Sequence, residues 1–175
     1  MEKLENSGTE YFVAVTESES GNVRYVTNTD HADIFELVRA TSAIPFFFGK
    51  RVKLFGESYF DGGTGSTLQS DIDCAIDHGA TRILLIDDSS GLASTRFEIF
   101  LFSLFTRRGL RKALERRYSD RRTYVVPRGV SVITVRPRDL DISATTESPL
   151  LIAAAFEKGA SDALAMREEM RALFR

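Results

Sequence analysis

The sequence predicts an α/β protein built as a three-layer α/β/α sandwich. Two observations carry this. Residues 83–86, Ile-Leu-Leu-Ile, are a continuous apolar run without a polar face, the mark of a strand covered by helices on both sides. Further β-type runs alternate along the chain with stretches whose apolar residues recur at helical spacing, and such alternation gives a sheet flanked by helices.

Taken in order, residues 11–16 (Tyr-Phe-Val-Ala-Val-Thr) read as a strand. Residues 22–27 read as a second, with Val23, Tyr25 and Thr27 on one face. Ser20-Gly21-Asn22 between them is turn chemistry, which makes the pair a hairpin. Asp30 or Asp33 caps a helix carrying Ile34, Leu37, Val38 and Thr41 on one side, and Pro45 stops it. Arg51–Phe55 and Ser58–Asp61 flank Gly56-Glu57 as a second hairpin. Leu68, Ile72, Ala75 and Ile76 recur at helical spacing up to His78, with Gly79 as the C-terminal stop. After the strand at 82–86, a long helix is expected from about Arg96 to Arg117. A strand follows at 130–135, bounded by Gly129 and Pro137. From Pro149 to the end, Leu151, Ala155, Ala160, Leu164 and Met170 share one broad apolar helix face.

Bulk properties exclude several classes. At 175 residues, 43% hydrophobic and 27% charged, the chain has the size and composition of one soluble globular domain. Residues 1–10 read as an amino-terminal tail and 11–175 as the domain. The formal charge of −2 gives no overall basicity that would point to nucleic acid. The single cysteine, Cys74, excludes an internal disulfide framework and reads as a small core residue. The first residues carry no apolar signal region and no apolar run reaches the length of a membrane span, so a cytoplasmic location is expected.

The stretch with chemical content runs from Ala40 to Gly65. Asp61 follows the β-favouring pair Tyr59-Phe60 and precedes Gly62-Gly63. Two glycines after a strand allow positive φ and close approach of another backbone or a ligand. A carboxylate so placed is held by a rigid element yet approachable, which suits a general base or a metal ligand. Asp-Gly is also a common turn dipeptide, and local sequence alone leaves that reading open.

Ala40-Thr41-Ser42-Ala43-Ile44-Pro45, followed sixteen residues after its proline by Asp61-Gly62-Gly63, resembles the second half of the patatin-like phospholipase family. Gly79-Ala80-Thr81-Arg82 leading into Ile83–Ile86 is similar to that family's Gly-Ala strand entry. Val132–Pro137 and Phe156–Ala163 are similar to its closing strand and helix, as in small bacterial members. The resemblance thus covers nearly the whole chain from about Tyr11, as an incomplete, carboxy-terminal part of a patatin-like domain. It implies hydrolysis of fatty-acyl esters, including phospholipids, by a serine–aspartate dyad in which the aspartate takes the serine's proton without a histidine between. Asp61 would be the base, and Gly62 and Gly63 would leave room for the serine's turn. This chemistry requires no metal or organic cofactor.

The other half of the dyad is not in these residues. No Gly-x-Ser-x-Gly occurs, and no glycine-rich loop precedes Ala40 to donate amides to an oxyanion. The chain by itself is therefore expected to be inactive. A complementing segment with the nucleophile is one expected partner, and a homo-oligomer is another. The alternative is a non-catalytic remnant acting as an interaction or lipid-surface module.

Other candidates have simpler readings. Ser66 reads as a helix N-cap, and Ser42 matches a structural family position. Ser89-Ser90-Gly91 lacks a glycine two places before either serine. His78 sits near a helix C-terminus, where a cationic ring is favourable, and His31 is isolated. Gly62-Gly63-Thr64-Gly65 before a helix could bind phosphate through its amides, but lacks a P-loop lysine. In residues 96–122 a phenylalanine-rich segment precedes a run of arginines. It reads first as a core face followed by a solvated face, and second as a peripheral contact with anionic lipid.

Overall fold

The computed structural model describes residues 8–45, 51–87, 108–119, 124–136 and 146–175. Its α/β content matches the expected class. The chain divides into two compact units, one of residues 1–74 and 94–124, the other of 75–93 and 125–175.

The first unit holds strands β1 (Phe12–Glu17), β2 (Val23–Thr27), β3 (Val52–Leu54) and β4 (Glu57–Asp61). They form one antiparallel sheet in the order β2-β1-β4-β3. Both expected hairpins are present. In the first, Phe12 faces Thr27 and Thr16 faces Val23; Gly21 turns the chain at φ 72°. In the second, Leu54 pairs with Glu57 across a loop of Phe55 and Gly56, both at positive φ. That is the two-residue loop whose twist matches the flanking strands, and it lies one residue earlier than Gly56-Glu57.

Helix α1 (Ile34–Thr41) packs on this sheet through Leu37 and Ala40. Asp33 is its cap, its Oδ1 accepting the amides of Phe35 at 2.8 Å and Glu36 at 3.3 Å. Asp30 instead caps the short 3-10 turn at 28–30 in a reciprocal arrangement with Thr27. Val15, Val26, Leu37, Ala40, Ala43, Val52, Leu54 and Tyr59 make the core. Val26, rather than the Val23-Tyr25-Thr27 face, is the fully buried residue of β2. Tyr25 points the other way because its hydroxyl bonds Ser70 (3.0 Å) and Asp71 (2.7 Å) at the start of helix α2 (Leu68–Asp77). Helix α3 (Arg108–Ser119) belongs to the same unit and packs on β1. It overlaps the last part of the helix expected at 96–117; residues 96–107 lie outside the described residues.

In the second unit β5 (Arg82–Ile86) and β6 (Ser131–Val135) pair in parallel, with Leu84 opposite Ile133. Asp87, just past β5, is buried and forms a two-pronged ion pair with Arg136, just past β6, at 2.7 Å to Nε and 2.6 Å to Nη2. The fixed fork of the guanidinium suits such a clasp between two strand ends. The C-terminal helix is broken into α4 (Pro149–Ala165) and α5 (Arg167–Leu173) at Met166, whose amide reaches back to Ala163. Ser148 caps α4 and Pro149 occupies its first turn. Leu150 (82% exposed) and Phe156 (77% exposed) of α4 face outward, so its apolar residues do not form a buried face. Among the described residues no helix is long and apolar enough to cross a membrane.

Candidate active site

Asp61 ends β4, a strand paired on both sides, to β1 and to β3. Three ties fix its backbone. Its residue position lies opposite Val15, its amide donates to the carbonyl of Ala43 at 3.1 Å, and its carbonyl accepts Thr16 Oγ1 at 2.9 Å. The Ala43 contact joins the Ala40–Pro45 segment to Asp61-Gly62-Gly63, the two halves of the motif set off in the sequence. Thr16 is fully buried, so this clamp is shielded from water.

From Asp61 the chain enters a 3-10 turn at residues 62–64. Neither Gly62 nor Gly63 is at positive φ. Gly62 is required for another reason: a Cβ there would run into the carbonyl and side chain of Ala14 on β1. The close approach foreseen for the paired glycines is thus made, at Gly62, by the protein's own strand. Gly63 is more open. A Cβ there would meet Asp61 Oδ1 at 2.9 Å and then Arg117 Nη1 at 3.9 Å.

The carboxylate of Asp61 is half-buried and caps this turn, Oδ1 accepting the Gly63 amide at 2.6 Å. Burial pushes its carboxyl above the usual carboxylate range; the Gly63 hydrogen bond and the charge of Arg117 on α3 pull it part of the way back. The result is a rigidly mounted carboxylate that accepts a proton more readily than an exposed aspartate. The turn reading of Asp61 is met by this cap, and a cap on one oxygen is compatible with the base reading.

The sign of this shift makes a stability prediction. Because the folded-state pKa is raised, Asp61's titration favours the fold fully below its ordinary pKa of 3.8 and loses that contribution as pH rises through the folded value. Asp61→Asn, which keeps a cap acceptor, should be more stable than wild type at pH 7 and indistinguishable near pH 3. Paired urea melts at the two pH values measure it. Arg117→Gln should raise the Asp61 pKa further, read by carbon-detected titration of the carboxyl.

Other residues singled out in the sequence sort clearly. Thr67 and Ser70, not Ser66, make the reciprocal cap of α2, with Thr67 N donating to Ser70 Oγ at 2.9 Å and Ser70 N to Thr67 Oγ1 at 3.1 Å. Gly65 and Ser66 direct their amides to the Gly62 carbonyl and Gly63 directs its own to Asp61. The amides of Gly63 and Gly65 are thus engaged within the turn, which weighs against a phosphate cradle at 62–65. His31 closes the turn at 28–30 in the left-handed region. Ser42 ends α1, its amide reaching Val38 and Ala40. Ser89-Ser90-Gly91 lies outside the described residues. Among the described residues no cluster of His, Cys, Asp and Glu could hold a metal ion. Arg117 is the contributor that sequence reasoning missed: it is one arginine in a basic run, and nothing in its spacing points to a residue fifty-six positions earlier.

A family model described as patatin-like phospholipase matches residues 5–71, less than half of the chain but including both Ala40–Pro45 and Asp61-Gly62-Gly63. No curated protein matches the chain.

Proposed function

From the patatin-like character of residues 5–71, we propose that this chain supplies the base of a serine–aspartate lipid acyl hydrolase. Its substrates are fatty-acyl esters, with phospholipids among them. The observation that carries this reading is Asp61: a half-buried carboxylate of raised pKa, clamped at a strand end inside the matched segment. A dyad without histidine needs such a group, ionised at rest and able to take a proton in the transition state.

The nucleophile comes from a Gly-x-Ser-x-Gly segment outside these 175 residues, on a longer form of the chain or a second one. Its hydroxyl donates its proton to the Asp61 oxygen not held by Gly63, and the serine oxygen attacks the acyl carbonyl. The alcohol leaves, taking the proton back from Asp61, and water then repeats the sequence to release the fatty acid. Gly62 and Gly63 support the site by holding the turn. The Gly63 hydrogen bond and, to a smaller extent, the charge of Arg117 oppose the rise that burial imposes on Asp61. The protein works in the cytoplasm with peripheral contact at a lipid surface.

The test is fusion of a patatin-like nucleophile segment ahead of residue 1. The fusion should hydrolyse p-nitrophenyl esters and lose that activity on Asp61→Asn, whereas the chain alone should not hydrolyse them. Hydrolysis by the unfused chain that survives Asp61→Asn would sink the proposal and favour a non-catalytic role for Asp61.

A further inference from the structure

Away from Asp61, the turn joining β1 to β2 and the helix α3 border an open cleft of about 570 Å³. The wall on the α3 side is basic. Arg108, Lys112 and Arg116 follow one another at four-residue steps and therefore lie along one helix face. Ser20 and Asn22 of the turn form the opposite wall.

Two backbone contacts hold these walls together. Gly109 lies so close to the carbonyls of Glu19 and Ser20 that no Cβ fits there, and Gly21, at φ 72°, is pressed in the same way on the Gly109 carbonyl. Further along, the Arg116 guanidinium donates to the Gly21 carbonyl. The helix is thus pinned to the turn at both ends of the cleft, and the space between is a product of the packing.

Glu19 and Glu115 also line the cleft, but each already has a cation. Glu19 lies 3.8 Å from Arg51, and Glu115 accepts Arg111 Nε at 2.8 Å. Arg108 and Lys112, by contrast, have no hydrogen-bond or ion-pair partner among the described residues. The Ser20 hydroxyl is itself engaged, donating to Glu17 and accepting the Asn22 amide, so the ligand-facing groups are the two cations and the Asn22 side chain. Two unpaired cations one helical turn apart match a group with several strong acceptor oxygens and a charge near −2.

We propose that this cleft binds a phosphoryl group, through Arg108 and Lys112, with Arg116 fixing the wall. The group is that of a phosphate-bearing lipid headgroup or of free phosphate. The assignment does not depend on the role of Asp61.

The test uses the whole chain. Inorganic phosphate is titrated while the amides of Gly109, Lys112 and Asn22 are followed by NMR. In parallel, co-sedimentation is measured with vesicles of phosphatidylcholine alone or mixed with phosphatidic acid. Arg108→Gln and Lys112→Gln are compared with Lys53→Gln, an exposed charge on β3. Saturable phosphate shifts, weakened about tenfold by either cleft variant and kept in Lys53→Gln, support the site with free phosphate as ligand. Sedimentation that needs phosphatidic acid and is lost in the cleft variants alone supports the site with a lipid headgroup. Absence of both, or binding that all three variants leave equal, overturns it. Thermal melts of the variants should match wild type, since both cleft side chains are unpaired, and Asp61-dependent hydrolysis in the fusion is a separate readout.

Discussion

In a fusion that supplies the nucleophile, Asp61→Asn lowers kcat/KM by about 10²- to 10⁴-fold, the range expected when a positioned general base is lost. The size follows from what the asparagine keeps and removes. Its carbonyl oxygen can still accept the Gly63 amide, so the 3-10 turn and the clamp by Thr16 and Ala43 persist. What disappears is the proposed proton acceptor, and with no histidine in the proposed dyad no other group takes over that task. The variant should therefore fold as well as wild type, or better at neutral pH, while losing turnover. Asp61→Ala separates the two roles: it removes the cap as well, costing about 1 kcal/mol of stability in addition to activity. A fall in activity matched by a fall in stability for Asp61→Asn would instead mean that the residue is only a turn former.

The largest stability effect is expected at Gly62→Ala. The new methyl would fall on the Ala14 carbonyl of β1, and neither side can yield easily. Residues 14 and 15 of β1 pair with Tyr25 and Arg24 of β2, and Val15 pairs with Asp61 of β4, so the strand is held on both edges. Overpacking of this kind costs about 1–3 kcal/mol when a flexible side chain gives way, and a backbone obstacle puts Gly62→Ala at about 3 kcal/mol or more. For a chain of this size that is a fall of roughly 6–12 °C in Tm by calorimetry. Gly63→Ala is the matched control. Its methyl meets a carboxylate oxygen, not a strand, so it should cost little stability yet displace Asp61 and impair the fusion's activity. Equal, small losses at both glycines would show that β1 does not press on this turn.

Local physics made much of this legible. Asp33 as a cap, Ser20-Gly21-Asn22 as a turn, Gly79 as a helix stop and the apolar run at 83–86 as a strand are short-range effects, and each appears where its residues placed it. So does Asp61 at a strand end. The reason for Gly62 was not legible, because it lies in a strand nearly fifty residues earlier. Positive φ was the natural inference from paired glycines, whereas the chain needed only the missing Cβ. Thr67, rather than Ser66, as the cap of α2 is a one-residue shift of the sort that boundaries commonly show. Ser70 decides it by completing the reciprocal bond. Arg117 and the Gly109–Gly21 crossing depend on how α3 packs on β1, which no periodicity encodes.

The central claim is that Asp61 activates a hydroxyl that these 175 residues do not contain, and covalent labelling reaches it most directly. The fused protein and its Asp61→Asn variant are treated with a fluorophosphonate ester probe, and the adduct is located by mass spectrometry. One adduct is expected, on the serine of the supplied Gly-x-Ser-x-Gly, forming fast in the unmutated fusion and at a small fraction of that rate in the variant. An adduct on a serine of this chain, or labelling of the supplied serine at equal rates in the two proteins, would contradict it.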